Sequence, residues 1–344
     1  MAYYQIKLTP VDTFFFGGEK HDNEEVINYF VESNCYPQQT TLLGFIRYLL
    51  LVKNNLIRSE NLKTQAEPII GKESFDYNNP QLSFGKIKSI SPLYFLKGDK
   101  AFVPAPLDFN YQIETENGNY LLKNKDEFYK AKDGKLDLYL IGMKGEVPIK
   151  LYDDEPPKSV VFRVSQTGNE KAEKGESNED SYYKQSFMKM SPDWSFAIQT
   201  EIDDSLSDAT LFLPFGGEKS MFKVEILMQE KKIELSPEIQ NYSRKLPMIY
   251  LLSDCFAEDD VMKISCFAVN QTSSFRNFRS SVNTVNYSAF GKNSNGLKRS
   301  NRFNLISRGS VLYFADKNER EKALTFFEKD HCKKIGFNHY KLIN

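Results

Sequence analysis

The chain is poor in the residues that most often carry catalysis or hold metal, with three His, four Cys and one Trp in 344 residues. Cys35, Cys255, Cys266 and Cys332 form no CxxC pair, and so few His leave no zinc spacing, so the cysteines read as ordinary thiols of a reducing compartment. No apolar run approaches the roughly 18 residues of a membrane span, and MAYYQIKLTP lacks a basic segment followed by an apolar one. A soluble, cytoplasmic protein is expected. Nothing matches GxxxxGK[ST] or a dinucleotide fingerprint, so nucleotide hydrolysis and nicotinamide chemistry have no support and no cofactor is expected. His21, His331 and His339 supply a triad poorly, and Cys332 has no nucleophile elbow around it.

One scarcity is local. The formal net charge is −1, yet residues 261–315 contain no Asp or Glu and eight basic residues: Lys263, Arg276, Arg279, Lys292, Lys298, Arg299, Arg302 and Arg308. This stretch is +8 and the remainder −9. Between Gln271 and Asn304 the cations alternate with Phe275, Phe278, Tyr287, Phe290 and Phe303 and with many Ser and Asn. Phosphates need cations, unpaired bases need flat stacking partners, and Ser and Asn supply adaptable hydrogen bonds. No helix-turn-helix, zinc-finger or basic-zipper signature is present, which favours RNA over duplex DNA. Charge alone leaves RNA, single-stranded DNA and an acidic protein face open.

Strand signals predominate. Trp194 to Ile202 alternates as a half-buried strand with a polar face, and Phe222 to Met228 and Tyr4-Ile6-Leu8 do likewise. Leu93–Phe95 and Phe102-Val103 flank a turn, and further strands are expected at Leu136–Ile141, Val160–Val164, Met248–Leu252, Ile264–Val269 and Val311–Phe314. One helix is predicted over Thr40–Lys53, with Thr40 or Thr41 as N-cap, an apolar face from Leu42 to Leu50, and Gly44 and Arg47 together on the other side. A second is predicted over Lys317–His331, with capping-box spacing at Asp316 and Glu319. Ser165–Ser181, polar and without a branched apolar residue, reads as a mobile loop at the tip of a long hairpin. Glu230–Pro247 is charged and carries two Pro, and reads as a domain boundary. The order of elements suits an α+β fold of tandem ferredoxin-like units with insertions, over 1–235 and 236–344.

Phe-Gly-Gly-Glu-Lys occurs twice, at Phe16–Lys20 and Phe215–Lys219. Such turns permit positive φ, close ligand approach and an anion-binding nest of N–H groups. The first copy follows a strand and the second precedes one, so no internal repeat is inferred.

Five groups of residues now carry a resemblance: Leu8-Thr9-Pro10-x-Asp12-x-Phe14-Phe15-Phe16-Gly17-Gly18-Glu19; Tyr36-Pro37-Gln38-Gln39-Thr40-Thr41-Leu42-Leu43-Gly44-x-x-Arg47; Arg163-Val164 with Tyr182-Tyr183-Lys184-Gln185 and Trp194-Ser195-Phe196; the Phe215–Lys219 loop; and Arg308–Phe314. Their order resembles the RAMP superfamily of CRISPR effector subunits, most closely the third subunit of type III-B (Cmr) complexes. Residues 54–150 contribute little beyond Pro92–Phe95. The resemblance implies ferredoxin-like (RRM-like) tandem domains, no catalysis, binding of the guide RNA 5′ tag, and neighbours that are the large polymerase/cyclase subunit and backbone RAMP subunits. It points to RNA contacts at Gly17, Gly18, Gln39, Thr40, Gly44, Arg47, Arg163, Lys184, Gly216, Gly217 and Lys219. The basic stretch adds Arg276, Arg279, Lys292, Lys298, Arg299, Arg302 and Phe303. Many members carry a denser C-terminal glycine loop, whereas here only Gly336 precedes the last strand. Two rival readings are a guide-processing RAMP endoribonuclease using His21 as general acid or base, and a structural adaptor whose basic stretch docks an acidic protein face.

Overall fold

A computed structural model describes residues 2–17, 30–57, 62–108, 112–116, 119–124, 127–130, 160–171, 177–235, 246–256, 259–279 and 298–343. The fold is α+β with mostly antiparallel sheets. The largest sheet takes β1 (Ala2–Pro10), β3 (Ile87–Ile90), β4 (Tyr94–Lys97), β5 (Lys100–Phe102), β11 (Trp194–Ile202), β12 (Ala209–Pro214) and β13 (Met221–Gln229). Its order is β12-β13-β1-β11-β4-β5, with β3 also on β11. The hairpin β9 (Val161–Lys171) and β10 (Ser177–Met190) is joined in parallel by β2 (Phe30–Glu32). A meander follows the order β6 (Gln112–Glu116), β7 (Asn119–Asn124), β8 (Glu127–Lys130).

The C-terminal part builds a four-stranded sheet in the order β15 (Phe267–Val269), β20 (Val311–Tyr313), β14 (Met248–Leu251), β21 (Tyr340–Ile343). Between β15 and β20 two ribbons extend the chain: β16 (Thr272–Phe275) pairs with β19 (Phe303–Ile306), and β17 (Phe278–Arg279) with β18 (Lys298–Arg299). The helices are α1 (Gln39–Lys53), α2 (Leu62–Ile70), α3 (Asp259–Ile264), α4 (Lys317–Leu324) and α5 (Asp330–Lys333).

Alternation places β1 as expected, with Tyr4, Ile6 and Leu8 buried. On β11 the polar face is buried as well, Ser195 and Gln199 included. The reason is a second layer: Tyr94, Leu96 and Ala197 on that side pack into one apolar cluster with Met248, Tyr250, Phe267, Val311 and Tyr313 of the C-terminal sheet. α1 covers the opposite side, where Leu42, Phe45, Ile46, Leu49 and Leu50 join Ile6, Leu8, Phe196 and Ile198. The first sheet is therefore a middle layer, and extensive contacts bridge the boundary expected near 230–247.

Several expectations are corrected. α1 starts one residue early, with Gln38 as an N-cap that makes no side-chain hydrogen bond, so neither Thr40 nor Thr41 caps it. The C-terminal helix is two: α4 is capped by Asp316 accepting from Glu319 N, and α5 begins only at Asp330 because Phe327 turns into the core between them. Ile264 ends α3 rather than opening a strand, and β15 starts at Phe267. The polar segment 165–181 is paired strand up to Lys171 and from Ser177, because a two-stranded ladder is held by backbone bonds and tolerates polar side chains. The strand expected at Leu136–Ile141 lies outside the described residues. No helix among the described residues is long and apolar enough to cross a membrane.

Three polar contacts tie the layers together. Arg308 and Asp254 are buried against each other, with Nε–Oδ1 at 3.4 Å, and the guanidinium lies 4.1 Å from the Tyr36 ring centroid. Burial opposes the Arg308 charge, but the Asp254 carboxylate outweighs it and the guanidinium pKa rises above its ordinary value. Burial, reinforced by Asp254, pushes the Tyr36 phenol well above its usual range. Gln39, fully buried, donates to the carbonyls of Ser91 (3.1 Å) and Gly336 (2.9 Å). Finally, Asp204 accepts from Lys53 at 2.6 Å and from Lys86 at 3.0 Å. Burial alone would raise this carboxyl, yet the two lysines hold its pKa at about 2.

Replacing Arg308 with Met leaves Asp254 buried and unpaired and is expected to cost about 3–5 kcal/mol in chemical denaturation. The double variant Asp254→Asn/Arg308→Met should recover much of that; equal losses in both would show that packing, not charge, carries the effect. Because Asp204 titrates lower when folded than its ordinary 3.8, its contribution is fully present above that value and is lost as pH falls through about 2. Asp204→Asn should therefore lower the denaturation midpoint at pH 7 and have a much smaller effect at pH 2.

Candidate nucleic-acid interface

Phe15 and Phe16, at the described start of the first Phe-Gly-Gly-Glu-Lys segment, meet the second copy some 200 positions on. Gly217 N donates to Phe15 O at 2.8 Å, and Phe15 N donates to Ser220 Oγ at 3.0 Å. Phe16 packs edge-on against Phe215, their ring centroids 5.2 Å apart. Together with the start of α1 they enclose an open groove of about 340 Å³, lined by Phe16, Gly17, Asn34, Gln38, Thr41, Gly44, Phe45, Tyr48 and Pro214 to Gly217.

The glycines here have different reasons. Gly216 has φ +88°, and a Cβ on it would stand 2.6 Å from Phe15 O, so close approach of the two segments requires it. Gly217 is tight in the same way, its Cβ position lying 3.0 Å from the Phe15 ring. Gly44 is exposed in the middle of α1, and a Cβ there would meet nothing within 4 Å. Since Gly costs a helix interior about 1 kcal/mol relative to Ala, packing among the described residues does not account for it.

Electrostatics at the groove favour an anion. The first turn of α1 holds no acid, Gln38 gives no side-chain cap, and Gln38 and Thr41 face the groove, so the positive end of the helix is presented there. After Gly217, Glu218 and Lys219 both adopt left-handed backbone (φ 51° and 55°), with the Lys219 side chain exposed.

The other expected contacts divide. Arg47 follows Gly44 on the outer side of α1, but its Nη2 donates to Glu73 O at 2.8 Å and its guanidinium lies over Phe84. Thr40 is half-buried at the helix start. Gln39 is corrected outright: a side chain with no exposed surface, bonded at both ends of a core seam, does not face a ligand. Gly336 belongs to the same seam, since a Cβ there would stand 2.5 Å from Ser91 O. Arg163 pairs with Glu32 at 3.1 Å on β9. Lys184 pairs through its backbone with Phe30 and Thr167. Gly18 and Lys292 lie outside the described residues.

Within the acid-free stretch two of the cations find acidic partners from elsewhere in the chain. Arg308, one of the eight cations counted in the stretch, is buried as the partner of Asp254 and does not reach the surface. Arg279 pairs with Asp76. Arg276 donates to Ser300 O at 3.0 Å and Arg302 to Ser274 Oγ at 2.8 Å, while both residues remain exposed at the surface. Arg299 is exposed beside Phe278, and Lys298 lies opposite Arg279 on the ribbon. Phe303 packs with Tyr77, Phe256 and Phe275, at centroid distances of 5.0, 5.6 and 6.4 Å. That cluster fixes the base of the ribbons, so Phe303 is a packing residue here. Burial pushes the Cys332 thiol up to about 12 and Cys255 well above its usual range, which leaves both as unreactive thiols. Sequence reasoning missed Asn34, Tyr48 and Phe45 as groove walls; only the spacing of Phe45 and Tyr48 around Gly44 on α1 could have signalled them.

Residues 6–151 and 164–344 match the family model described as CRISPR-associated protein (Cas_Cmr3). No curated protein matches the sequence. Among solved structures, a chain of type III-B Cmr-beta bound to cognate target RNA and AMPPnP is 12% identical, with 98% of this chain and 95% of that chain covered and a TM-score of 0.49. A chain of the Csm3-Csm4 subcomplex of the type III-A interference complex is 13% identical, with 90% and 92% covered and a TM-score of 0.35. By the span of the family match, the chain belongs to the Cas_Cmr3 family of CRISPR-associated proteins.

Proposed function

We propose that this chain is a non-catalytic RNA-binding subunit of a type III-B CRISPR effector complex that anchors the 5′ tag of the guide RNA. On this reading it docks against the large polymerase/cyclase subunit and backbone RAMP subunits. The observation that carries the proposal is the groove at Gly44, an exposed helical glycine that no packing among the described residues requires, lined also by the start of α1 and by Gly216 and Gly217 of the glycine loop. A nucleic-acid backbone can approach a helix closely only where no side chain intervenes, and N–H groups with a nearby cation suit phosphate.

Sheet order supports the ferredoxin-like reading. In the C-terminal unit, β14, α3, β15, β20, the α4–α5 segment and β21 follow a βαββαβ order with strands arranged 4-1-3-2, the two ribbons being an insertion between the second and third strands. In the N-terminal unit β13, β1, β11 and β4 take the same order, and the chain between β11 and β13, where the second helix would come, instead forms the edge strand β12 and its glycine loop.

The test is co-purification of the chain with its operon neighbours and measurement of the RNA retained. Gly44→Leu should leave thermal stability unchanged or slightly raised, since the site is open and Leu is a better helix former, while guide retention falls at least about tenfold. Gly216→Ala is the contrasting variant and should lower stability. Full guide retention by Gly44→Leu would falsify the groove assignment, and crosslinks confined to protein would favour the adaptor. Incubation with repeat RNA in EDTA should yield no defined product; cleavage abolished by His21→Ala would instead identify a nuclease.

A further inference from the structure

We infer that Phe278, set beside Arg299 on the β17–β18 ribbon, is a platform on which an unpaired base of the bound RNA stacks. Phe278 is 57% exposed, whereas Phe303 and Phe275, the other described aromatics between Gln271 and Asn304, are spent on the packed cluster beneath. Phe278 and Arg299 are cross-strand partners and therefore share a face, with the guanidinium 5.7 Å from the ring centroid. Side chains alternate along a strand, so Arg279, the next residue, takes the other face. There its tie to Asp76 pins the ribbon to the body and leaves the Phe278 face turned outward.

The mount is rigid. Ser300 N donates to Asn277 O at 2.8 Å, Asn277 N donates to Ser300 Oγ at 3.1 Å, and Asn277 Nδ2 donates to Phe75 O at 2.7 Å. An exposed ring held in this way loses little entropy when a base covers it, and an adjacent guanidinium adds both a second planar surface and charge toward the phosphate. A neutral apolar partner would leave Arg299 and the nearby Arg276 unmatched, whereas a single-stranded nucleotide offers a π-face and an anion together.

The inference rests on the RNA-binding reading above, and the experiment separates the two. The full chain, alone and co-purified with its operon neighbours, is titrated with a short fluorescein-labelled single-stranded RNA, and a second RNA carrying 5-iodouridine is photocrosslinked. Phe278→Ala should weaken RNA binding about 5- to 150-fold with no change in salt dependence or melting temperature, while Phe278→Tyr restores it. Arg299→Gln should weaken binding and reduce the salt slope by about one. Iodouridine crosslinks should map to Phe278. If the wild type binds and Phe278→Ala binds equally well, the platform is overturned and the RNA-binding reading stands. Loss of operon neighbours rather than RNA from Phe278→Ala would also overturn it, in favour of a protein contact. A wild type that binds no RNA in either form overturns both.

Discussion

Arg308 and Asp254 sit almost wholly out of water, and the segments they hold are the ones on which the groove depends. Asp254 accepts from the Arg308 backbone N at 2.9 Å as well as from its side chain. The guanidinium reaches across to Leu93 O and to the face of Tyr36, both in the N-terminal half. Tyr36 is followed at once by Pro37, the cap Gln38 and α1. A buried ion pair is a weak source of net stability, because desolvation consumes most of the attraction. Its value here is positional: a charge that must meet its partner permits one arrangement, and that arrangement sets where the first turn of α1 emerges. Gln39 repeats the logic one residue into the helix, since its amide has to find Ser91 and Gly336 together.

The groove built on that frame separates two uses of glycine. At Gly216 and Gly217 the missing Cβ lets one chain segment lie against another, and Phe15 would clash with any larger residue. At Gly44 it leaves open space on the exposed side of the helix. Only the second kind speaks of something outside the chain. The duplicated motif is thus partly architectural: its two copies meet through Phe15, Phe16 and Phe215, and the surface they bound is shaped by the aromatic packing beneath.

How far the sequence was legible follows from the range of the forces involved. Alternation along β1 and β13 and the apolar face of α1 are set within a few residues, and they were readable. The buried polar face of β11 was not, because the layer that covers it begins at Met248. The paired part of 165–181 was missed for a different reason: a ladder held by backbone bonds leaves no mark in side-chain hydrophobicity. The split between α4 and α5 turns on Phe327, whose spacing fits an apolar helix stripe equally well. Around the groove, Gly17, Gly44, Gly216 and Gly217 are residues to which the resemblance and the repeated glycine motif had pointed, while Gln39 and Phe303 carried the right pattern for the wrong place.

Charge shows the same limit most sharply. An acid-free segment looks like one continuous cationic surface only while counter-charges are sought nearby in sequence. Asp76 lies about 200 residues before Arg279 and neutralises it, and Asp254 lies just upstream of the stretch yet meets Arg308 near its end. The absence of acids is then partly a consequence of topology, since these arginines reach back to carboxylates on earlier segments. The ribbons carry Arg276, Arg299 and Arg302 at the surface, close to the one described aromatic of the stretch that is mostly exposed. A recognition surface for single strands needs few cations if they stand beside a ring, because stacking supplies contact that is insensitive to salt while phosphate pairing is not.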